Sequence, residues 1–271
     1  MVATYPKCGT TWMQNILLCL LAGGDASKVR DPMKMSRWAE AACSRGTLSV
    51  DEWEQWDQPA EEQARAPTRR VIKTHAPVHL CPWAGAARGI PKGARVVVVA
   101  RNPKDTAVSL FHHSRDVEVF HYSGDWPHFL SALFLQGKVE HGDFWSWHAG
   151  WWRAQQEAPQ DILWVTYEEL KADLAGQVAR VAEFCNIEAD SDVLGGTVAA
   201  STFEAMRRTA AEEDARKEAR GEWVKKNHIR VGKAGGWTAH FSEAESAEFD
   251  GHHAARSQQE SLPLHLFAFG A

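Results

Sequence analysis

The sequence predicts an α/β fold with a central parallel sheet flanked by helices. The run from Val96 to Ala100 is so continuously apolar that both faces of the strand should be covered, as in a parallel sheet. Short β-like segments alternate with helical patterns along the chain, which is typical of α/β proteins. With 271 residues, 44% of them hydrophobic, the chain is long enough for a large core, and we expect residues 1–271 to form a single domain.

The first elements are a strand, a loop and a helix. Val2 to Thr4 is β-like, and the turn-rich segment Tyr5-Pro6-Lys7-Cys8-Gly9-Thr10-Thr11 follows it. Apolar residues then recur at three- and four-residue steps, which predicts a helix with one face on a sheet: Trp12, Met13, Ile16, Leu17, Leu20 and Leu21. Gly23 and Gly24 end this helix.

The later elements continue the alternation. Val71 to Thr74 is a short strand, and Asn102 and Pro103 are suited to start a helix that extends to about His113. Ile162 to Tyr167 indicates another strand. Apolar positions near 3.6-residue spacing then predict a helix: Leu170, Leu174, Val178, Val181 and Cys185. Residues 207–226 carry many charges of both signs and favour either a mobile lid or a solvated helix.

Charge and cysteine content restrict the class of protein. A formal net charge of -5 gives no global reason to bind nucleic acid or an anionic membrane, so any anion site has to be local. The five cysteines are widely spaced and lack metal-ligand spacing, which favours free thiols in a reducing compartment. Neither a leader-like segment nor an apolar run of membrane-spanning length is present, so we expect a soluble cytoplasmic protein.

The loop from Lys7 to Thr11 has the features of a phosphate site. Gly9 lets backbone N–H groups approach a ligand closely, the following helix presents its positive end, and Lys7 adds a full charge. The lysine precedes a single glycine, which disfavours an ordinary nucleoside-triphosphatase loop. A plain β–α turn with a surface lysine is the alternative.

Reactive side chains follow two other strands. Lys73-Thr74-His75 ends a strand, where open α/β sheets place their ligands, and a histidine can accept a proton near neutral pH. Arg101 follows the valine strand with a planar fork suited to phosphate, and Ser109 lies two turns into the next helix. Taken singly, such a histidine is more often structural and such a helix start more often solvated.

Together these segments resemble the motifs of the cytosolic sulfotransferase family. Tyr5 to Trp12 is similar to the family's 5′-phosphosulfate loop T-Y-P-K-S-G-T-T-W, with Cys8 as the departure. Arg101 to Ser109 resembles the 3′-phosphate segment R-N-x-x-D-x-x-V-S. Lys73-Thr74-His75 resembles K-T-H, whose histidine is the family's catalytic base.

The resemblance covers residue 3 to about Asp250 and is weaker near its ends. Arg230 to Trp237 resembles R-K-G-x-x-G-D-W, but Val231 replaces the lysine and Gly236 the aspartate, so we expect weaker donor binding unless Lys233 substitutes. Family members usually have several tens of residues before the lysine loop, and that part is nearly absent here. The dimerisation segment K-x-x-x-T-V-x-x-x-E is not retained in residues 238–247, so we expect no family-type dimer.

The resemblance implies a three-layer, P-loop-like fold and a metal-free transfer. A sulfuryl group would pass from 3′-phosphoadenosine 5′-phosphosulfate (PAPS) to a small-molecule phenol, steroid or alcohol, or to an amine, releasing the desulfonated product PAP. The implied catalytic residues are the general base His75 with Lys7, Lys73 and Ser109. The implied donor-binding residues are Lys7, Cys8, Gly9, Thr10, Thr11, Trp12, Arg101, Ser109, Tyr167, Ser201, Phe203, Met206, Arg230, Val231 and Gly232, with Trp12 and Phe203 flanking adenine.

Two other functions stay open. A catalytically degenerate relative that binds only PAP or another nucleotide is favoured by Val231 and Gly236, although a pure binder has no need for His75. A kinase of similar architecture lacks its double-glycine loop and an obvious metal carboxylate.

The sequence does not predict the acceptor. Trp145, Trp147 and His148 either line an apolar pocket or pack beneath the sheet. His112 and His113 have weak claims to the site, and His79 has none.

Overall fold

In a computed structural model, residues 1–40, 69–81, 90, 93–117, 120–221 and 232–267 are described. Five strands within these residues form one parallel sheet in the order β2-β3-β1-β4-β5. They are β1 (Val2–Thr4), β2 (Arg37–Trp38), β3 (Ile72–Thr74), β4 (Val96–Ala100) and β5 (Ile162–Thr166). The predicted α/β fold with a central parallel sheet is confirmed.

The register of the sheet aligns the ends of its inner strands. Val2 of β1 lies opposite Lys73 of β3 on one side and Val97 of β4 on the other. The chain therefore leaves β1, β3 and β4 at the same carboxyl edge. The lysine loop, His75 and Arg101 begin at neighbouring points of that edge.

Helices cover both faces of the sheet. They are α1 (Thr10–Leu21), α2 (Pro32–Met35), α3 (Pro103–Asp116), α4 (Trp126–His128), α5 (Phe144–Glu157), α6 (Tyr167–Ala172), α7 (Leu174–Phe184), α8 (Ser191–Ala200), α9 (Phe203–Ala219) and α10 (Glu243–Gln259). Four 3₁₀ turns (Ala26–Lys28, Val78–Leu80, Gly236–Ala239 and Leu264–Leu266) and a π-helical segment (Phe129–Phe134) complete the described elements.

The valine strand β4 shows why the fold has three layers. Val96 and Val98 pack in a core with residues of α3, α5 and α10, whereas Val97 and Val99 pack in a second core with residues of α1 and α7. Alternate side chains of a strand point to opposite faces, so an all-apolar strand needs cover on both. Every residue of β4 is at most 1% exposed.

Local signals explain where α3 begins. The side-chain oxygen of Asn102 accepts hydrogen bonds from the backbone N–H groups of Lys104 and Asp105, and Pro103 occupies the first turn. The predicted cap is confirmed. The helix continues to Asp116, almost one turn beyond the predicted end.

The region after β5 differs from the prediction. Thr166 and Glu169 form a capping box, so Tyr167 begins α6 instead of ending the strand. The single helix predicted beyond it is two helices, because Asp173 adopts φ -144° and its carboxylate caps α7 by accepting from the N–H of Gly176. Side-chain capping overrides the continuous apolar spacing here.

The charged segment 207–226 is helical where it is described. Its residues through 219 belong to α9, in which no residue is buried, as expected for a solvated helix. Residues 222–226 lie outside the described part of the chain. No described helix is both long and apolar enough to cross a bilayer.

Candidate functional site

A cavity of about 560 Å³ lies where the lysine loop, the end of β3 and the cavity-facing side of α3 meet. Most of the predicted site residues line it: Lys7, Gly9, Thr10, Thr11, Trp12, Lys73, His75, Arg101, Ser109, Tyr167, Phe203, Met206 and Gly232. Arg230 and Val231 lie outside the described residues. Residues that are up to 225 positions apart in sequence thus line the same cavity.

Cys8 and Ser201 lie behind this wall and do not line the cavity. The Cys8 side chain is fully buried with its Sγ 3.5 Å from Thr106 Oγ1, and burial raises the pKa of the thiol to about 12. Ser201 Oγ accepts a hydrogen bond from the Asn15 side chain at 3.0 Å. The Ser201 carbonyl accepts from the indole nitrogen of Trp12 at 2.8 Å. Ser201 thereby supports the Trp12 indole, which faces the cavity, whereas Cys8 contacts Thr106, which does not line it.

The lysine loop has the backbone geometry of an anion cradle. Lys7 (φ 71°) and Gly9 (φ 104°) both adopt left-handed conformations. A Cβ atom on Gly9 would lie 3.1 Å from the Tyr167 ring, so conformation and space both favour glycine. Thr10 and Thr11 begin α1 and line the cavity, which places the positive end of the helix dipole at its wall.

Arg101 connects the lysine loop (residues 7–11) to the C-terminal loop (residues 232–237). Its guanidinium donates to the Lys7 carbonyl at 3.0 Å and to the Lys233 carbonyl at 3.2 Å, and it lies 4.3 Å from the Tyr167 ring centroid. The Nε atom is buried without a hydrogen-bond partner among the described residues. An unpaired buried donor costs about 1–3 kcal/mol.

Asp105 and Lys104 fix the C-terminal loop against α3. The Asp105 carboxylate accepts from the backbone N–H groups of Gly235 at 2.7 Å and Trp237 at 2.9 Å. The Lys104 ammonium is 2.6 Å from Asp250 of α10 and 4.2 Å from the Trp237 ring centroid. The loop therefore keeps its position although Gly236 stands where an aspartate was expected.

Two aromatic rings, those of Trp12 and Phe203, face the cavity. The Trp12 ring packs edge-on against Tyr167 with centroids 5.1 Å apart. Phe203 lies against Gly232, where a Cβ atom would be 2.1 Å from the Phe203 ring and φ is 62°. Gly232 is therefore required by both space and backbone conformation.

The imidazole of His75 has a defined tautomer. Its Nδ1 lies 2.9 Å from the Thr4 carbonyl oxygen, which can only accept, so Nδ1 carries the hydrogen and Nε2 keeps a lone pair. The Trp147 indole donates to the His75 carbonyl at 2.8 Å. Burial, with the nearby charge of Lys73, lowers the pKa of His75 to about 3. The ring is neutral at pH 7.

Sequence reasoning missed Glu40, which lies beside the same strand end. Glu40 Oε1 accepts from the Thr74 hydroxyl at 2.9 Å and from the backbone N–H of His75. Nothing in its sequence neighbourhood forms a motif, because β2 has two residues and gives no periodic signal.

Lys73, Trp38 and His141 complete the surroundings of His75. The Lys73 ammonium lies 4.5 Å from the Trp38 ring centroid. Burial lowers the pKa of Lys73 to about 8, and the Glu40 charge opposes this shift. The His141 ring is 5.2 Å from His75, and burial lowers its pKa. This end of the cavity can hold a cation and a neutral base side by side.

The wall formed by α3 extends along the helix to Asp116. Val108, His112, His113 and Asp116 line the cavity at three- and four-residue spacing along one helix face. His240 approaches from the segment after the 3₁₀ turn Gly236–Ala239, and its Nε2 is 3.4 Å from His112 Nε2. The structure thus brings His112 and His113 to the cavity. His79 is exposed and does not line it.

The tryptophan-rich helix α5 belongs to the core. Trp145, Trp147 and His148 are at most 2% exposed and do not line the cavity, so they pack beneath the sheet. The His148 Nδ1 lies 2.8 Å from the Phe144 carbonyl, and burial lowers the pKa of His148 to about 3. Within the described ranges, no three His, Cys, Asp or Glu side chains are grouped to hold a metal ion.

Comparison by sequence finds relatives that are named sulfotransferases. The family model described as the sulfotransferase domain matches residues 1–259. Sulfotransferase 2B1 of Mus musculus is 32% identical over 257 residues, which is 92% of this chain and 68% of the relative. Human sulfotransferase 1E1 is 25% identical over 269 residues, 96% of this chain and 84% of the relative. The chain spans about two thirds of the length of the 2B1 relatives.

Comparison of structures supports the fold. Mouse sulfotransferase SULT7A1, solved with PAP, matches with a TM-score of 0.69 at 24% identity, covering 96% of this chain and 84% of that one. Retinol dehydratase, solved with androsterone and the inactive cofactor PAP, matches with a TM-score of 0.74 at 21% identity, covering 97% and 81%. The predicted P-loop-like arrangement is confirmed by these likenesses.

Proposed function

The chain belongs to the sulfotransferase family, and we propose that it transfers a sulfuryl group from PAPS to a hydroxyl or amine of a small-molecule acceptor. Membership confirms the resemblance and the predicted enzyme class. One observation carries the proposal for the reaction: a neutral imidazole, His75, shares a cavity with the lysine loop and Arg101. The two solved relatives described above hold PAP, which supports PAPS as the donor here.

Donor binding is assigned to the cationic end of the cavity. Lys7 and the first residues of α1 hold the 5′-phosphosulfate, and Arg101 with Ser109 holds the 3′-phosphate. Lys233 lines the cavity and substitutes for the cation that Val231 does not supply. The remaining donor contacts come from Gly9, Thr10, Thr11, Trp12, Tyr167, Phe203, Met206 and Gly232, with Cys8 and Ser201 as support from behind.

In the proposed transfer, His75 acts as general base. Its Nε2 takes the acceptor proton as the acceptor oxygen or nitrogen bonds to sulfur and the bond from sulfur to the 5′-phosphate oxygen breaks. Lys7 and Lys73 stabilise the charge on the departing phosphate and the sulfuryl oxygens. Ser109 holds Lys7 away from the bridging oxygen until the acceptor binds. The scheme uses no metal.

The acceptor is a small molecule of the phenol, steroid or alcohol class. The cavity volume, about 560 Å³, lies within the range of about 300–1,000 Å³ that such ligands occupy. Androsterone in the retinol dehydratase complex supports the steroid class. A single domain over residues 1–271, a cytoplasmic location and the lack of a family-type dimer stay predictions.

Titration calorimetry with PAP tests the donor site. Lys7→Ala and Arg101→Ala should each lower the affinity at least tenfold, because each removes a charged phosphate contact. Lys28→Ala and Arg153→Ala are matched controls, since both side chains are more than 60% exposed and lie outside the cavity. No binding of PAP by the folded wild type would overturn the proposal.

Turnover with labelled PAPS separates the alternatives. Sulfated product from a panel of phenols, steroids and alcohols, formed equally with and without EDTA, supports the metal-free transfer. PAP binding without turnover identifies a degenerate relative. Magnesium-dependent turnover of a nucleoside triphosphate identifies a kinase.

A further inference from the structure

We infer that Glu40 is a positioning residue for the catalytic end of β3: it fixes the backbone that carries His75 and supplies the counter-charge for Lys73. The inference rests on the proposed function, because His75 and Lys73 are catalytic only in that reaction. Neither the family resemblance nor the motif pattern in this sequence assigns Glu40 a role.

Glu40 holds the strand end at two adjacent points. Oε1 accepts from the Thr74 hydroxyl at 2.9 Å and from the N–H of His75, and the Thr74 hydroxyl also accepts from the N–H of Ala76 at 3.0 Å. On its other side, the His75 ring donates to the Thr4 carbonyl. The imidazole is therefore fixed through its ring on one side and through its backbone on the other.

The sheet brings Glu40 to this position. Trp38 of β2 lies opposite Lys73 of β3, and the N–H of Ala39 donates to the Lys73 carbonyl at 2.9 Å. The next residue along the chain, Glu40, then lies beside the residues that follow Lys73. A two-residue strand is sufficient to set this register.

The charge of Glu40 acts on Lys73. The Lys73 side chain is 7% exposed, and desolvation favours its neutral form. Glu40 is the described carboxylate that favours the ammonium. The other titratable groups described around these residues are His75, His141, Lys7, Cys81 and Glu140. The first three supply no negative charge, burial raises the pKa of the Cys81 thiol to about 12, and the Glu140 carboxylate interacts with Lys7.

The second carboxylate oxygen also argues against a purely structural role. Glu40 Oε2 is buried and has no hydrogen-bond partner among the described residues. A buried acceptor without a partner is unfavourable. A glutamine would offer the same Oε1 contact without a buried charge. The glutamate is therefore better explained by its charge, which stabilises the Lys73 ammonium.

The deciding variants separate the hydrogen bonds from the charge. Glu40→Gln keeps an oxygen acceptor and removes the charge, whereas Thr74→Val removes one contact and keeps the charge. Glu188→Gln is the matched control, because Glu188 is exposed and does not line the cavity. Thermal unfolding and PAP binding are measured for each variant, so that a folding defect is recognised.

For Glu40→Gln we expect kcat to fall about tenfold or more with the KM for PAPS within about twofold. The alkaline limb of its kcat–pH profile should move to lower pH, because the Lys73 ammonium is lost earlier. Thr74→Val should lower kcat without moving that limb. Wild-type kcat and an unchanged profile in folded Glu40→Gln would overturn the inference.

Competitive acetylation of Lys73, followed by mass spectrometry from pH 6 to 10, tests the charge coupling without turnover. Lys73 should react at lower pH in Glu40→Gln than in the wild type and in Glu188→Gln. If Glu40→Gln does not fold, Glu40→Asp replaces it, with kcat reduced and Lys73 reactivity retained. Absence of wild-type turnover would reject the proposed function, while equal Lys73 reactivity in Glu40→Gln and wild type would reject this inference.

Discussion

The Nδ1 atom of His75 donates to the carbonyl oxygen of Thr4, 2.9 Å away on the neighbouring strand β1. This bond links two parallel strands at their carboxyl ends and determines which ring nitrogen is available to an acceptor. Because the contact uses a backbone carbonyl, no side-chain substitution at Thr4 removes it. The pairing of β1 with β3 therefore fixes the position of His75.

Replacing His75 by alanine should lower kcat by about 10²–10⁴-fold, the contribution typical of a general base. PAP affinity should stay within about threefold, because the ring contributes to the acceptor end of the cavity. His79→Ala is the control, since His79 is exposed on the 3₁₀ turn Val78–Leu80. Retention of more than a tenth of wild-type kcat would contradict a base role.

The acid side of the wild-type pH profile gives a second test of His75. Burial lowers the pKa of His75 to about 3, so the ring stays neutral as the pH falls through 6.5, where an exposed histidine would gain a proton. We expect kcat to change less than about twofold between pH 7.5 and 6.0, measured at saturating PAPS. A steep loss over that interval would show that the base titrates in the ordinary range.

Gly232→Ala should weaken PAP binding at least tenfold. A Cβ atom there would lie 2.1 Å from the Phe203 ring, and the glycine has φ 62°. The ring or the loop must move, and both line the donor end of the cavity. Gly221→Ala is the matched control, because its φ is 71° but nothing lies within 4 Å of the added atom. Equal PAP affinities for the two variants would contradict a role of the contact between Gly232 and Phe203 in binding.

The sequence predicted the parallel sheet and the lysine loop because their signals are local. A valine-rich strand, a glycine before a helix and an asparagine–proline start each report the structure of their own segment. The break at Asp173 was missed because apolar spacing continues across it, while Asp173 ends one helix and its carboxylate caps the next. The apolar periodicity predicts one continuous helix, but the helix boundary follows the capping contact of Asp173.

Parts of the site were not predictable because they depend on tertiary contacts. Glu40 reaches His75 only through the pairing of β2 with β3, and His240 reaches His112 only because Asp105 anchors the preceding loop. Neither residue lies in a motif. For Trp147 the sequence left a pocket position and a core position open, and the structure places it in the core, since its ring is buried and its indole donates to the His75 carbonyl.

The part of the cavity wall formed by His112 and His240 should determine acceptor affinity. His112 and His240 line it with their Nε2 atoms 3.4 Å apart, close enough for both to contact one polar group of an acceptor. His240→Ala should raise the acceptor KM about tenfold while the KM for PAPS stays within about twofold. His265→Ala is the control, because His265 is exposed outside the cavity. Equal increases in both KM values would indicate a general disturbance of the C-terminal loop.

Acid should destabilise the fold through His148. This histidine is fully buried, and burial lowers its pKa to about 3, whereas in the unfolded chain it titrates near 6.5. Below pH 6.5 the unfolded state binds a proton that the folded state does not, so stability falls with pH by roughly 3 kcal/mol between pH 7.5 and 4.5 from this group. His148→Phe removes that dependence although it loses the bond to the Phe144 carbonyl. Urea unfolding at both pH values should therefore show the variant's stability deficit shrinking in acid, and a constant deficit would exclude His148 as the cause.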